Sequence, residues 1–201
     1  MLLVVEGAND FEFLSRLAVC LRLDLPQVPD LQQLCAKGRL LVVPLGGGDP
    51  ATWANRLAPL QLPEFHLYDR EQQPHTQQRQ RAVEQVCARP GCQGVLLSRR
   101  CLENYLHPQA IVAAGGVELT FGHHDHVPLL LAQRDHEQSG SPIAWNSLAY
   151  RAQRRCLQHA KRWLNSVAVE QMTAALLAEH DPDGEVLGWY STIARLVRGC
   201  G

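Results

Sequence analysis

Residues 2–10 read Leu2-Leu3-Val4-Val5-Glu6-Gly7-Ala8-Asn9-Asp10, and the expected architecture starts from them. Four consecutive apolar residues, two of them β-branched, suit a strand buried on both faces, as in a parallel sheet. Gly7 permits a sharp turn, and Asn9 with Glu12 has the spacing of a capping box that opens a helix. In that helix Phe11, Leu14, Leu17, Ala18 and Leu21 recur near a period of 3.6 and form one apolar stripe. Strand, turn and helix together begin a βα unit.

Three further segments continue the alternation. Leu40-Leu41-Val42-Val43 predicts a second buried strand, ended by Pro44 and the Gly46-Gly47-Gly48 loop, with a short helix holding Trp53 and Leu57 after it. Phe65-His66-Leu67-Tyr68 predicts a third strand that runs into Asp69-Arg70-Glu71, followed by a helix from about Gln77 to Ala88. Gly94-Val95-Leu96-Leu97 predicts a fourth. The expected fold class is therefore α/β: a Rossmann-like central parallel sheet of about four strands flanked by helices. Beyond about residue 107 the alternation stops. Residues 115–142 carry Gly, His and Pro without periodicity and are expected to be irregular, whereas residues 145–198 predict helices broken at Asp181-Pro182-Asp183-Gly184. The expected organisation is a catalytic unit over 1–110, with an irregular segment and a helical C-terminal region over 111–201 packing on it.

The composition, 46% apolar and 19% charged over 201 residues, suits a packed globular chain rather than a disordered one. With a formal net charge of −1, affinity for nucleic acid has to come from a local basic surface. No apolar run approaches the roughly 20 residues that span a bilayer, and the N-terminus carries no basic leader, so no membrane association is expected. Seven scattered cysteines, an odd number, suggest reduced thiols and a cytoplasmic location.

Ligands of open parallel sheets bind beyond the carboxyl ends of the strands. Glu6 follows the first strand and Asp69 the third, so both belong at that edge. In an extended segment Asp69 and Glu71 point to the same side, with backbones roughly 7 Å apart. Asp10, in the first helical turn, is close enough to join Glu6. Such a cluster is costly without a cation, and hard ions such as Mg²⁺ or Mn²⁺ take a few carboxylates plus waters. Taken singly, Glu6 or Asp69 could equally cap a helix; that both follow apolar strands favours a metal site.

Val5-Glu6-Gly7 with Asp10 resembles the opening motif of Toprim domains, and Asp69-Arg70-Glu71 is similar to their second acidic motif. Topoisomerases and bacterial primases usually have Asp where Glu71 stands. Leu102-Glu103-Asn104-Tyr105-Leu106 resembles an element of the Toprim domains in OLD-family (overcoming lysogenisation defect) nucleases and related defence proteins. The resemblance covers roughly residues 1–110. It implies a metal-dependent nuclease in which Glu6, Asp10, Asp69, Glu71 and Glu103 hold one or two Mg²⁺ or Mn²⁺ ions. Glu6, Asp69 and Glu71 would be catalytic, with Lys161, the only lysine in the C-terminal half, assisting. The implied substrate is DNA more than RNA, in phage or plasmid defence. OLD-type proteins carry an ATPase domain before the Toprim unit, so the resemblance implies either a separate ATPase subunit as partner or a domain that acts alone. Toprim RNA maturases and a non-catalytic binding or regulatory module are the alternatives.

Arg99 and Arg100 flank the same edge and are candidates for phosphate contact. Residues 150–163 hold five basic residues and no acid. Arg151, Arg155 and Arg162 share a helical face there, with Trp145, Tyr150 and Trp163 interleaved as stacking candidates. His123, His124, His126, Cys87 and Cys92 lack a second ligand pair at finger spacing and read as loop histidines and incidental thiols. No Gly-Lys-Ser/Thr follows the glycine run, so it is not a Walker loop.

Overall fold

The computed structural model describes residues 1–46 and 49–199; Gly47 and Gly48 of the expected glycine loop, and Cys200, lie outside the described residues. Four parallel strands form one sheet: β1 (Leu2–Val5), β2 (Leu41–Pro44), β3 (Glu64–Tyr68) and β4 (Cys92–Leu96), in the order β2-β1-β3-β4. Each strand expected from sequence is present within two residues of its anticipated ends. The chain is thus α/β, a four-stranded parallel sheet flanked by helices.

The sheet separates two apolar layers. Leu3 and Val5 of β1 and Phe65 and Leu67 of β3 face the larger core, where α1 (Ala8–Leu21) contributes Phe13, Leu14 and Leu17. Val4 and Tyr68 face the opposite, smaller layer, packed against Ala54 of α3 (Pro50–Arg56) and Ala82 and Val86 of α4 (His75–Cys87). Burial on both faces accounts for the unbroken apolar sequence of β1. On the small-core side β3 carries a buried polar row instead. Glu64 binds Arg89, His66 Nε2 pairs with Glu64 Oε2 at 2.7 Å, and His66 Nδ1 with Tyr68 Oη at 2.8 Å. Alternate residues share a face of a strand, so the row is contiguous and each member's polar atoms are matched.

β2 is not the buried strand its composition predicts. It lies at the sheet edge, where Leu41 is 62% exposed. A short helix α2 (Leu31–Ala36) precedes it, capped by Asp30, which accepts from Gln33 N–H at 2.8 Å. At the other end of the chain, the segment expected to be irregular contains a helix, α6 (Val127–Gln138), after a short helix α5 (Pro108–Ala113). Then come α7 (Tyr150–Ser166), α8 (Ala174–His180) and α9 (Glu185–Arg198). The break at 181–184 is where the sequence predicts it, but the helical region is also interrupted by a 3₁₀ turn at Ala168–Gln171. Leu164, Val169, Trp189 and Ile193 join the same core as β1 and α1, so residues 111–199 complete the core of the first 110. Among the described residues no helix is long and apolar enough to cross a membrane, and all six described cysteines are free.

Candidate functional site

The strand order creates the site. From β1 the chain steps to β2 on one side, and β3 then pairs with β1 on the other, so the loops after β1 and β3 diverge. A crevice at such a switch point is where open α/β sheets take ligands. Glu6 and Asp69 are the first residues beyond these two strands.

Asp10 enters from the first turn of α1. Its Oδ2 accepts the Gly7 N–H at 2.7 Å, closing the turn between strand and helix. Asp10 therefore does the capping that Asn9 and Glu12 are expected to do; Glu12 is instead paired with Arg16 at 2.8 Å. Glu103 arrives on a 3₁₀ turn (Leu102–Tyr105) and is fully buried. Asn165 of α7 donates to Glu103 Oε1 at 2.8 Å, while Glu103 Oε2 is buried with no hydrogen-bond partner. The neighbouring Cys101 thiol is directed to Asn104 Oδ1 at 3.0 Å.

Lys161 reaches into this group from α7. Its Nζ lies 3.6 Å from Asp10 Oδ1 and 3.7 Å from Glu103 Oε1. Burial pushes the Asp10 carboxyl up to about 6, an effect that Lys161 only partly offsets. Burial likewise raises Asp69, which also feels Asp10, Glu6 and Glu103. Glu103 is the exception. Burial raises it too, but the Lys161 charge and the Asn165 hydrogen bond bring it below the ordinary carboxylate value. Lys161 in turn is raised, chiefly by Glu103. Asp10, Asp69 and Glu103 thus form one electrostatic unit around a single ammonium.

Glu6 acts on Asp10 and Asp69 but is itself paired elsewhere, and Glu71 stands apart. Arg79 of α4 grips Glu6 twice, Nε to Oε1 at 2.6 Å and Nη2 to Oε2 at 2.9 Å. Glu71 does not share a side with Asp69 in the manner of an extended strand. The chain turns into the left-handed region there (φ 52°), and the Glu71 carboxylate lies 3.7 Å from Arg100 Nε. Asp10 and Glu103, the less direct candidates from sequence, hold the inner positions with Asp69.

Arg99 is 3% exposed and commits its guanidinium to the carbonyls of Asn104 (2.6 Å) and His180. It cements the turn that carries Glu103 and offers no surface to a phosphate, contrary to the sequence expectation. Arg100 stays at the rim beside Glu71. Arg151, Arg155 and Arg162 are exposed on α7, as expected. Of the three aromatic residues beside them, only Tyr150 is open, at 74%. Trp145 packs edge-on to His136, and Trp163 lies against Gly116. Arg154, not singled out from sequence, is exposed two turns before Lys161 on the same line of the helix, about 10 Å along its axis. Arg79 and Asn165 have no sequence signal that would have marked them either.

As the side chains stand, no group of three or more His, Cys, Asp or Glu residues among the described residues is gathered tightly enough to hold a metal ion. The inner donor set nevertheless suits a hard divalent cation. It is all carboxylate oxygen, and one buried oxygen, Glu103 Oε2, lacks a partner. No family model, curated protein or solved structure matches this chain.

Proposed function

We propose that this chain is a Toprim-type, metal-dependent endonuclease of the OLD-like branch, cutting DNA in preference to RNA. The observation that carries the reading is the buried inner group at the β1/β3 crevice, Asp10, Asp69 and Glu103, with the unpartnered Glu103 Oε2. Asp10, Asp69 and Glu103 would hold Mg²⁺ or Mn²⁺, with Glu6 and Glu71 adjoining. When bound, the cation supplies an acidified water and neutralises charge on the phosphate oxygens. The chain's own residues do the rest. Arg79 fixes the orientation of Glu6 through its two hydrogen bonds. Asn165 orients Glu103, and the exposed line of Arg154 leads a phosphate backbone toward Lys161. A role in phage or plasmid defence, with an ATPase supplied by a separate subunit, extends the same reading.

One observation favours a second reading, a nucleic-acid-binding module without catalysis: an ammonium already faces two of the acids that would hold a metal. Incubation with supercoiled plasmid and with structured RNA, in Mg²⁺ or Mn²⁺ and with chelator, separates the two. Chelator-sensitive DNA cleavage that disappears in Glu6→Ala and Asp69→Ala is the expected result. Cleavage that survives in both variants overturns the site. Salt-sensitive binding without cutting, also when a neighbouring ATPase is added, transfers the conclusion to the second reading.

A further inference from the structure

Three buried acids share one cation. When all are ionised, Asp10, Asp69 and Glu103 leave the pocket with two negative charges in excess even beside Lys161. The lysine is held by charge and not by hydrogen bonds to these acids. At 3.6 and 3.7 Å from its carboxylate partners it is beyond hydrogen-bonding distance of either, and its side chain remains 33% exposed at the mouth of the pocket. By contrast, Arg79 is fastened to Glu6 by two short hydrogen bonds. The unpartnered oxygen, Glu103 Oε2, belongs to the very residue that Lys161 approaches.

We propose that Lys161 is a resident counter-ion which a divalent cation must displace, so that metal entry and lysine exit are one exchange. This rests on the metal-site reading above. The exchange breaks no hydrogen bond of the ammonium, replaces one positive charge by two, and gives Glu103 Oε2 a partner. The freed side chain, already 33% exposed, moves outward into solvent. Apparent metal affinity is therefore set by competition with Lys161, and the pocket stays closed to metal until the concentration suffices to expel it.

The sequence supplies an internal control, because Lys37 and Lys161 are the only lysines and Lys37 is exposed. Amine-directed acetylation of the wild-type chain, quantified peptide by peptide, compares the two with and without Mn²⁺. Modification of Lys161 relative to Lys37 is expected to rise several-fold on adding Mn²⁺. In calorimetric titration, Lys161→Met is expected to bind Mn²⁺ about tenfold more tightly than wild type. Should that variant fail to fold, the labelling of the wild-type chain decides alone. Mn²⁺ binding that shields Lys161 or leaves its labelling unchanged overturns the exchange and spares the metal site. Absence of Mn²⁺ binding in both wild type and Lys161→Met overturns the exchange and the metal site together.

Discussion

Asn165 Nδ2 donates to Glu103 Oε1 at 2.8 Å across 62 residues of sequence, and both side chains are fully buried. This bond is the only hydrogen bond from α7 to a carboxylate of the inner group among the described residues, and it fixes where the helix meets the acids. Asn165→Ala leaves Glu103 with no amide donor and is expected to cost about 1–3 kcal/mol in denaturant unfolding. Asn165→Asp places a second carboxylate against a buried one and is expected to cost more, about 3–5 kcal/mol. Equal losses from the two variants would mean that Glu103 is not ionised in the native state.

Gly116 is a second point of attachment for α7. A Cβ there would fall 2.6 Å from Trp163 Cη2 and 2.9 Å from Ile111 O, and backbone cannot give way as a side-chain tip can. Gly116→Ala should destabilise the fold by about 1–3 kcal/mol through overpacking. Because Trp163 is two residues beyond Lys161, the variant should also reduce cleavage by more than its loss of folded protein explains, read as activity per folded molecule.

Arg99 and Arg154 separate structural from binding arginines. Arg99→Ala abandons two carbonyls and a buried packing position and is expected to cost about 2–4 kcal/mol of stability. Arg154→Ala should leave thermal stability within about 0.5 kcal/mol and weaken duplex DNA binding. The slope of log K against log salt should fall by about 0.9, the increment for one phosphate no longer neutralised. An unchanged slope would remove Arg154 from the interface.

His180, whose Nε2 lies 3.0 Å from the Asn104 carbonyl on the turn that carries Glu103, has a pH signature of its own. Burial and the neighbouring Arg99 bring its imidazole down to about 4 from the ordinary 6.5. The unfolded chain therefore binds the proton that the native chain refuses, and stability contributed above pH 6.5 is lost as pH falls toward 4. Asp10, raised from 3.8 to about 6, acts with the opposite sign over much of the same range. The His180 contribution is thus read as the difference between wild type and His180→Phe. The variant should show the shallower loss of stability between pH 6.5 and 4, and the wild-type imidazole should titrate near 4 by NMR.

The strands and α1 are legible because their signals are local: apolar runs, a glycine turn and a 3.6-residue stripe lie within a dozen residues of one another. The two carboxylates beside strand ends are legible for the same reason. Glu71 is misplaced by the rule for extended segments, which holds only while the chain stays extended; its positive φ breaks the alternation. β2 reads as buried because an apolar run shows how much burial a strand tolerates, whereas its edge position is set by the order of pairing. α6 lacks a clean apolar stripe, yet Pro128 in its first turn is a start signal that the histidines on either side of Asp125 obscure. Arg79 and Asn165 have no local signature at all. Each acts on a partner more than 60 residues away, and only the assembled fold brings them together.

The position of Lys161 also bears on the chain as it is synthesised. The acids emerge from the ribosome at residues 10, 69 and 103, and their nearest positive charge follows at 161. Until α7 has been made and docked, a nascent chain that closes the sheet buries these acids without the Lys161 ammonium. A boundary near residue 110 would therefore divide the acids from the ammonium that faces them, and a stretch that keeps both has to reach at least through α7.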